Sequence, residues 1–291
     1  MGLIIKEILQ IGETALAQAG CMNPKIDAEI LMRHLLSIDR TQLFIKYPQV
    51  LDDKSCEEYF QLIDTRASGV PVQYITGEQE FMGITFKVNE NVLIPRQDTE
   101  TLVEEIIEYA NNLKGSYHIL DLCCGSGAIG ISLCKHLKNA KMTGSDISEK
   151  ALEVAKYNAM QIGVDGRIKF TKSDLFENIR KGFGGNKYNI IVSNPPYIES
   201  EIIPTLQREV KEHEPMLALD GGTDGLDFYR RIVADAPAYL KKQGMLFLEI
   251  GYNQGPALKE LIKEAGYYEE AEVIQDLAGL DRVVRCRLAG K

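Results

Sequence analysis

Apolar residues recur at helical spacing through the first quarter of the chain. One stripe contains Ile4, Ile8, Ile11 and Ala15, and a second contains Ala28, Leu31, Met32, Leu35 and Leu36. Residues three or four positions apart share one face of a helix, so each stripe predicts an amphipathic helix. Three residues that can cap the N-terminus of a helix, Asp52, Asp53 and Ser55, precede a further apolar stretch. We therefore assign residues 1–70 to a small all-helical domain.

The period then changes from helical to alternating. Apolar Ile84, Phe86 and Val88 alternate with polar residues, glycines stand at positions 77 and 83, and residues 89–91 read Asn-Glu-Asn, a turn candidate. This pattern predicts a β-hairpin from about Gln73 to Ile94, and we assign residues 71–95 to a hairpin linker. Asp98 or Thr99 is expected to cap the helix that follows. The predicted inward face of this helix consists of Leu102, Val103, Ile106 and Ile107.

From Tyr117 onward, short apolar segments alternate with segments of helical periodicity. The predicted strands are 118–122, 141–145, 167–171, 188–193 and 245–250, and the predicted helices are 128–137, 149–160, 226–240 and 257–265. An antiparallel pair, 271–274 and 282–287, is expected to close the sheet. Such alternation is typical of a mostly parallel sheet with helices on both faces. Residues 96–291 are thus predicted to form a Rossmann-like α/β domain, with a flexible loop at Lys181 to Asn186.

Length and charge narrow the classes of function. With 291 residues, the chain suits one large domain and a small one. The formal net charge is −9, whereas an enzyme that grips duplex nucleic acid usually carries a basic face. We therefore expect a protein partner, preferably a basic one, and no direct nucleic acid.

Apolar runs and cysteines indicate the compartment. No apolar run approaches the length of a membrane span, and charged residues interrupt the apolar N-terminus. A cytoplasmic location and no membrane association are expected. The six cysteines form no C-x-x-C pair and have no zinc-ligand spacing, so reduced, mostly buried thiols are expected and no metal site.

A glycine loop follows the strand that ends at Asp121. It runs from Cys123 through Cys124, Gly125, Ser126 and Gly127 to Gly130, and its glycines satisfy G-x-G-x-x-G between a strand and a helix. An acidic residue, Asp146, ends the next predicted strand, at the spacing of a ribose-binding carboxylate. The pattern predicts a nucleotide site but does not separate NAD from S-adenosylmethionine, because both carry an adenosine ribose.

A third strand end adds to this site. Asp174 follows the strand through Phe170 and is positioned to accept a hydrogen bond from an adenine amino group, with Leu175 packing on the ring. Taken alone, Asp174 is better explained as a loop residue that caps a helix. The series of acidic strand ends at Asp121, Asp146 and Asp174 favours the adenosine site.

The most specific feature is the tetrad Asn194-Pro195-Pro196-Tyr197, which ends a predicted central strand. Each proline fixes its own φ and favours an extended backbone in the residue before it. Asn194 is therefore presented rigidly at the carboxyl edge of the sheet, where ligands bind in open α/β folds.

This tetrad suits a planar nitrogen acceptor. The lone pair of an amide or ring-bound NH₂ group is delocalised, so the nitrogen is a poor nucleophile. The Asn194 side-chain oxygen and the Pro195 carbonyl can each accept one of its hydrogens, and Tyr197 can lie against the planar group. Catalysis is then mainly positioning and desolvation for in-line transfer. A dehydrogenase would instead need a proton donor at this edge. Among the four histidines, His213 is the one candidate for that role.

Over essentially its whole length, the sequence resembles the release-factor glutamine methyltransferases, the PrmC or HemK family. The segments that carry the resemblance are Pro71-Val-Gln-Tyr-Ile-Thr-Gly77, Glu80 to Gly83, Leu93-Ile-Pro-Arg-Gln-Asp-Thr-Glu100, Asp121 to Gly130, Asn194 to Tyr197, Glu214 to Asp227 and Asp276 to Arg282. Adenine methyltransferases of DNA and guanine methyltransferases of RNA share the Asn-Pro-Pro-Tyr tetrad. The segments with Pro-Arg-x-Asp-Thr-Glu and Asp-Gly-Gly-x-Asp-Gly look specific to the family.

The resemblance implies a class I methyltransferase domain that uses S-adenosylmethionine and releases S-adenosylhomocysteine. The implied substrate is the glutamine of a Gly-Gly-Gln motif in class 1 peptide chain release factors, methylated on its side-chain amide nitrogen. The cofactor's methionine part would lie on Cys123 to Gly127, its ribose on Asp146 and its adenine on Leu175, while Asn194 to Tyr197 would bind the glutamine. The helical domain would help to grip the release factor, and the enzyme is expected to be a monomer.

Two residues depart from the family pattern. The family usually has Gly-Thr where this chain has Cys123-Cys124, and Cys adopts a positive φ less readily than Gly. Some members have a larger aromatic residue in place of Leu175. The alternative functions are an adenine- or guanine-amino methyltransferase acting on DNA or RNA, which would need basic groups along a strand path, and a non-catalytic adenosine-binding adaptor, which the intact tetrad disfavours.

Overall fold

The computed structural model describes residues 2–113, 115–179 and 187–290. The chain forms two compact units. One consists of Met1–Glu78 together with Leu206–His213, and the other of Gln79–Thr205 together with Glu214–Lys291. The pattern of apolar positions had given no sign that a short segment near residue 210 belongs with the N-terminal helices. The boundaries drawn from the sequence at residues 70 and 95 stay predictions.

The N-terminal part of the first unit is helical, as predicted. Its helices are α1 (Ile5–Gln18), α2 (Pro24–Leu36), α3 (Arg40–Lys46), α4 (Asp53–Ala67) and α5 (Val72–Thr76). In α1 the buried face contains Ile5, Ile8, Leu9 and Leu16, whereas Ile11 is 45% exposed. The predicted stripe therefore included one solvent-facing residue. At the start of α4, Asp52 accepts a hydrogen bond from the Ser55 amide at 3.0 Å, which confirms the predicted cap.

The start of the predicted hairpin was wrong, because Val72–Thr76 form a helix. Pro71, with φ −54°, is already set for helix entry, and Gly77 ends the helix in the left-handed conformation at φ +76°. The hairpin itself comprises β1 (Glu78–Phe81) and β2 (Ile84–Lys87). Its turn residues Met82 and Gly83 both have positive φ, which matches the right-handed twist of the paired strands.

Helix α6 spans Asp98–Asn111, and its predicted cap was also wrong. Gln97 occupies the N-cap position without a side-chain hydrogen bond, and Asp98 is the first helical residue. The buried face agrees with the prediction at Leu102, Val103 and Ile106. Both side chains make contacts outside the helix: the Asp98 carboxylate lies 3.0 Å from the Arg282 guanidinium, and the Thr99 Oγ1 accepts a hydrogen bond from the Asn194 Nδ2 at 3.4 Å.

Seven strands form one sheet within the described residues. In chain order the strands are β3 (Tyr117–Leu122), β4 (Ala140–Asp146), β5 (Ile168–Lys172), β6 (Tyr188–Ser193), β7 (Leu240–Glu249), β8 (Glu272–Gln275) and β9 (Asp281–Arg287). Their spatial order is β5-β4-β3-β6-β7-β9-β8. Strands β3 to β7 pair in parallel, while β9 runs antiparallel to both β7 and β8. This confirms the predicted mostly parallel sheet with an antiparallel closing pair.

Helices cover both faces of the sheet because alternate strand residues point to opposite sides. Helices α7 (Ala128–His136) and α8 (Glu149–Ile162) join α6 in the core on one face. After α9 (Arg208–His213), helices α10 (Asp227–Tyr239) and α11 (Gly255–Ala265) form the core on the other. Along β6, Ile190 and Val192 contact the first core, and Ile191 contacts the second.

Two further predictions concern particular segments. The segment Lys181 to Asn186, predicted as a flexible loop, lies outside the described residues. Across the described ranges, the helices fall short of the length and apolar character that a membrane crossing requires.

Candidate functional site

The carboxyl ends of the parallel strands bring together the polar residues singled out in the sequence. The chain builds outward from β3 through β4 to β5 and then crosses back to β6 and β7, so the strand order reverses between β3 and β6. Ligands of open α/β sheets bind at such a reversal. A cavity of about 200 Å³ opens there, and the predicted site residues that line it are Cys123, Gly125, Asp146, Asp174, Leu175, Asn194 and Pro196.

The remaining predicted site residues do not contribute to this lining. Those that are buried are Asp121, Cys124, Ser126, Gly127 and Pro195, and Tyr197 is half-buried. The sequence therefore identified the segments that build the cavity. It did not separate the residues that line the cavity from their neighbours in the same segments.

The glycine loop is shaped by backbone hydrogen bonds to the neighbouring strand. The Cys124 amide donates to the Ser145 carbonyl at 2.9 Å, and the Gly127 amide donates to the Cys124 carbonyl at 2.7 Å. Gly127 has φ +80°, and a Cβ there would lie 2.8 Å from the Ile131 side chain. Glycine is thus favoured at Gly127 mainly by its positive φ, and a Cβ there would also require the Ile131 side chain to move.

Cys123 occupies the left-handed region of the backbone, with φ +57°. A residue with a Cβ is uncommon there, and glycine is the residue that adopts this conformation without a steric penalty. Cys123, which departs from the family pattern noted above, therefore stands where the backbone conformation favours glycine. Burial raises the pKa of the Cys123 thiol, which favours the neutral thiol in the cavity lining.

Asp146 joins the glycine loop to the cavity. Its Oδ2 accepts a hydrogen bond from the Gly125 amide at 2.9 Å, and its Oδ1 accepts one from the Ser148 amide at 2.9 Å. Burial raises the pKa of this carboxyl against the opposing effect of those two bonds. Each carboxylate oxygen has a second lone pair, so Asp146 keeps the capacity to accept hydrogen bonds from two hydroxyl groups.

Asp121 has a different position from the other acidic strand ends. It is 1% exposed, and its Oδ2 accepts a hydrogen bond from the Gly130 amide in α7 at 3.0 Å. A Cβ at Gly130 would lie 2.9 Å from this oxygen, so the third glycine of the motif makes room for the carboxyl group. Burial and the nearby Asp146 raise the pKa of Asp121 to about 8. Asp121 thus holds the start of α7 behind the loop and is not brought to the cavity.

Asp174 and Leu175 close the far side of the cavity. The Asp174 carboxylate lies 2.8 Å from the Arg231 guanidinium, an ion pair that was not expected from the sequence. Leu175 has φ +45° and is buried. This conformation is supported by Ser173, whose hydroxyl donates to the Leu175 carbonyl at 2.8 Å. The carboxyl group and the apolar side chain are therefore both held at the wall that they line.

Residues Asn194 to Tyr197, which we call the acceptor corner, follow directly from β6. Ser193 anchors the end of this strand by donating its hydroxyl to the Leu122 carbonyl at 2.9 Å. The Asn194 Nδ2 donates to the Thr99 Oγ1 at 3.4 Å, and Asn194 lines the cavity together with Pro196. The Tyr197 hydroxyl donates to Glu249 Oε1 at 3.4 Å. Both hydrogen bonds are long.

A glycine-containing segment packs on the backbone of the acceptor corner. The Ile198 amide donates to the Leu219 carbonyl at 3.0 Å, and the Gly221 amide donates to the Ile198 carbonyl at 2.8 Å. A Cβ at Gly221 would lie 2.7 Å from the Tyr197 Cα, and a Cβ at Gly225 would lie 2.4 Å from the Tyr197 carbonyl oxygen. Two of the three glycines of the Asp-Gly-Gly-x-Asp-Gly motif, Gly221 and Gly225, are therefore explained by their close approach to the corner, whereas a Cβ at Gly222 would meet the Asp227 carboxylate.

Sequence reasoning missed several residues around the site. Glu249 ends β7 and is 1% exposed, and it could have been found as a fourth acidic residue at a strand end. Thr99 lay inside a motif that was noted but was considered only as a cap. The cavity is also lined by Leu217, inside the Glu214 to Asp227 segment, and by Phe228 and Arg231 of the predicted helix 226–240, none of which the sequence had assigned to the site.

The described part of the chain does not group the cysteines with other metal-binding side chains. All six are free thiols, and those fully buried are Cys124, Cys134 and Cys286. Across residues 2–113, 115–179 and 187–290, no cluster of three or more His, Cys, Asp or Glu side chains has the arrangement of a metal site.

A larger open groove, of about 660 Å³, lies on the helical unit. It runs along α1 and is lined by polar and apolar side chains, among them Lys6, Glu13, Phe44 and Tyr47. It contains neither a strand end nor a glycine loop, so we place the chemistry in the smaller cavity at the carboxyl edge.

Comparison with known proteins agrees with both parts of the chain. Residues 7–77 match the family model of the PrmC N-terminal domain, and residues 97–222 match that of the methyltransferase small domain. The chain is 41% identical to the release factor glutamine methyltransferase of Moorella thermoacetica, over 96% of this chain and 97% of that protein. It is also 41% identical to the enzyme of the same name from Clostridium acetobutylicum, over 89% of each chain.

A solved structure supports the fold. The methyltransferase from Pyrococcus furiosus superposes with a TM-score of 0.51 at 18% sequence identity, over 72% of this chain and 90% of that one. At this identity the similarity concerns the fold alone, which agrees with the sheet order described above.

Proposed function

The chain belongs to the release factor glutamine methyltransferase family, and we propose that it transfers a methyl group from S-adenosylmethionine to the side-chain amide nitrogen of a glutamine in a peptide chain release factor. The observation that carries the proposal is the position of Asn194, which lines the same cavity as Gly125 and Asp146. A nitrogen held by Asn194 is therefore next to a ligand held by the glycine loop. The glutamine is assigned to a Gly-Gly-Gln motif of a class 1 release factor.

The residues of the cavity fit the proposed cofactor. Asp146 is oriented by two backbone amides and retains lone pairs for the two ribose hydroxyls. Cys123 to Gly127 offer backbone for the methionine part, Asp174 an acceptor for the adenine amino group, and Leu175 an apolar surface for the ring. When bound, the cofactor supplies a methyl group on a positively charged sulfur, which makes the methyl carbon electrophilic.

The acceptor corner supplies positioning for the nitrogen. The Asn194 side-chain oxygen and the Pro195 carbonyl accept the two hydrogens of the substrate amide, and Tyr197 lies against its plane. With both hydrogens held, the nitrogen lone pair is directed toward the cavity, and its delocalisation into the carbonyl is reduced. A strong base is unnecessary before transfer, because the nitrogen would become acidic as the new N–C bond formed and the S–C bond broke, after which one of its two hydrogens would leave as a proton to solvent. The rate enhancement comes from orientation and the exclusion of water.

The helical unit is assigned to substrate recognition. Residues 7–77 match the PrmC N-terminal domain, and the relatives named above are release factor glutamine methyltransferases. The groove along α1 gives this unit a concave surface with both charges, Lys6 and Glu13 among them. We assign the grip on the release factor to this unit and the chemistry to the sheet unit.

The test is a methyl-transfer assay with isotopically labelled S-adenosylmethionine. We expect label in a purified class 1 release factor and none in DNA or RNA, with mass spectrometry placing the methyl group on the Gly-Gly-Gln glutamine. A release factor with that glutamine replaced by alanine is the matched control and should remain unlabelled. Label in nucleic acid with an unlabelled release factor would reject the proposal in favour of a base methyltransferase.

A further inference from the structure

Arg231 lines the cavity from helix α10 and forms an ion pair with Asp174, but the function proposed above gives it no role. The side chains of Arg231 and Asp174 are 44% and 32% exposed, respectively. An ion pair that is this open to water contributes little to the stability of a folded protein. Its place in the wall of the cavity therefore favours a role in ligand binding over a role in folding.

We propose that Arg231 is a positioning residue, which holds the Asp174 carboxylate toward the purine of the cofactor and thereby makes the site select a 6-amino purine over a 6-oxo purine. This inference rests on the proposed function for the placement of adenine against Asp174 and Leu175. It adds to the cofactor site the helix α10 and a residue that lies outside every motif of the sequence.

Helix α10 holds the segment that carries Asp174 at two places. At the first, Arg231 Nη2 lies 2.8 Å from Asp174 Oδ1. At the second, the Tyr239 ring stacks on the Phe176 ring with centroids 4.7 Å apart, and the Tyr239 hydroxyl donates to the Phe176 carbonyl at 3.3 Å. Positions 231 and 239 share one face of the helix, since they are related as i and i+8. One face of α10 therefore contacts both the carboxylate and the backbone that follows it.

The same segment is anchored on its other side to the strand that carries Asp146. The Ser173 amide donates to the Asp146 carbonyl at 2.9 Å, and the Asn178 amide donates to the Ser173 hydroxyl at 3.0 Å. These bonds fix the backbone on both sides of Asp174. They leave the direction of its side chain open, and the ion pair with Arg231 sets that direction.

The ion pair leaves the carboxylate able to bind the base. Arg231 engages Oδ1, and because both oxygens of a carboxylate carry lone pairs, Asp174 keeps the capacity to accept from a further donor. A purine that enters the cavity removes water from this wall, and the attraction between the two charges is stronger where water is excluded. The hold of Arg231 on Asp174 therefore strengthens as the purine binds.

A carboxylate held in this way distinguishes two purines by the direction of hydrogen bonding. An ionised carboxylate only accepts. Adenine presents a 6-amino group that donates, whereas hypoxanthine presents at the same place a carbonyl oxygen that also accepts. A carboxylate free to turn can avoid this repulsion by rotating toward solvent. Asp174 cannot turn without giving up its ion pair, so Arg231 should increase the selectivity for adenine.

The test compares S-adenosylhomocysteine with S-inosylhomocysteine, which carries the 6-oxo purine, by isothermal titration calorimetry. Selectivity is the Kd of the inosyl compound divided by the Kd of the adenosyl compound. We expect a selectivity of at least about 10 in the wild type, because a charged acceptor that faces another acceptor is left without a partner. In Asp174→Asn it should approach one, since an amide can donate as well as accept.

Arg231→Met removes the guanidinium and keeps an unbranched apolar side chain. We expect it to lower the selectivity by about 3- to 10-fold, the effect of having to order one released side chain when the ligand binds. The loss should come mainly from weaker binding of S-adenosylhomocysteine. Wild-type selectivity in Arg231→Met would overturn the inference and leave the proposed function intact.

Arg230→Met is the matched control. Arg230 precedes Arg231 on the same helix, is 46% exposed and pairs with Asp224 and Asp227, and it is not part of the cavity lining. Its replacement should leave the selectivity at the wild-type value. An equal loss of selectivity in Arg230→Met and Arg231→Met would show a general effect of positive charge on α10, and the inference would be wrong.

The double variant separates positioning from direct contact with the cofactor. If Arg231 acts through Asp174, adding Arg231→Met to Asp174→Asn should change neither Kd further. An additional loss of affinity would mean that Arg231 contacts the cofactor itself, which contradicts a positioning role.

Two further outcomes concern the proposed function. Wild-type selectivity in Asp174→Asn would show that the purine lies away from Asp174, and the placement of the cofactor would fail together with the inference. A protein that shows the expected selectivities but does not label a release factor would overturn the proposed function alone.

Discussion

The two halves of the carboxyl edge are held by different kinds of hydrogen bond. At the ends of β3 and β4, backbone amides of the glycine loop bond to Asp146 and to the adjacent strand. At the ends of β6 and β7, side chains bond to side chains, Asn194 to Thr99 and Tyr197 to Glu249. The first, which we call the cofactor half, needs correct backbone geometry. The second, which we call the acceptor half, needs particular side-chain atoms.

The sequence distances differ in the same way. Asp146 is 21 residues from Gly125, whereas Asn194 is 95 residues from Thr99. A short-range contact between consecutive elements leaves a spacing motif in the sequence, but a contact between remote segments leaves none. The cofactor half is therefore readable as a motif, while the acceptor half is readable only at the tetrad itself.

The largest effect should come from breaking the acceptor half at its reacting end. Asn194→Ala removes the side-chain oxygen that accepts a substrate hydrogen, so kcat should fall by at least about 100-fold, as when one preorganised polar group is lost. Cofactor affinity by calorimetry should survive. Asn112→Ala, at the exposed end of α6, is the control and should behave as wild type. Unchanged turnover in Asn194→Ala would remove this residue from the site.

In the cofactor half, a substitution should weaken cofactor binding more than it lowers kcat. Asp146→Ala leaves the ribose hydroxyls without a charged partner, and the binding free energy of S-adenosylmethionine should weaken by about 1–3 kcal/mol. At saturating cofactor, kcat should recover more fully than in Asn194→Ala. Asp146→Asn, which keeps one acceptor oxygen, should lose less affinity. A cofactor Kd equal to that of the wild type would mean that the ribose lies elsewhere.

Asp121 sharpens the comparison, because it supports the cofactor half without facing the cavity. Its pKa is raised from 3.8 to about 8 in the folded protein, so between these values the folded state holds a proton that the unfolded state releases. The free energy of unfolding should therefore fall as pH rises from about 4 to 8, by up to about 1.4 kcal/mol per pH unit. Glu249, with a pKa raised to about 7, contributes in the same direction.

Asp121→Asn should flatten this dependence. Asparagine keeps an oxygen for the Gly130 amide and does not titrate, so only the slope from other carboxyls such as Glu249 should remain. Denaturant unfolding at several pH values measures the effect. An unchanged slope in Asp121→Asn would show that this carboxyl does not carry an extra proton in the folded state.

The smallest effect concerns Cys123, at φ +57°. Cys123→Gly should leave the free energy of unfolding within about 1 kcal/mol of the wild type, since relief of backbone strain offsets the greater freedom of the unfolded chain. Cys123→Val should destabilise by roughly 1–3 kcal/mol, because a β-branched residue is strongly disfavoured at positive φ. Equal stability of the two variants, in chemical denaturation, would contradict the importance of this conformation.

Much of the fold and the family were predictable from the sequence. The alternation of strands and helices, the closing antiparallel pair and the membership of the release factor glutamine methyltransferase family are all confirmed. The errors lie at boundaries. The segment after Pro71 is helical before the hairpin begins, and Gln97 rather than Asp98 or Thr99 precedes α6 at the N-cap. Local signals of this kind compete with one another, and tertiary contacts decide between them.

The sequence alone determined the order of the elements and the motifs at their ends, because apolar period and glycine spacing are local properties of the chain. Tertiary structure alone decided that Asp121 supports α7 while Asp146 faces the cavity, and that Thr99 and Glu249 stand beside Asn194 and Tyr197. The reason is that the direction in which a strand-end side chain points depends on which strands become neighbours in the sheet. That choice is made by packing among residues far apart in the chain, and no local pattern records it.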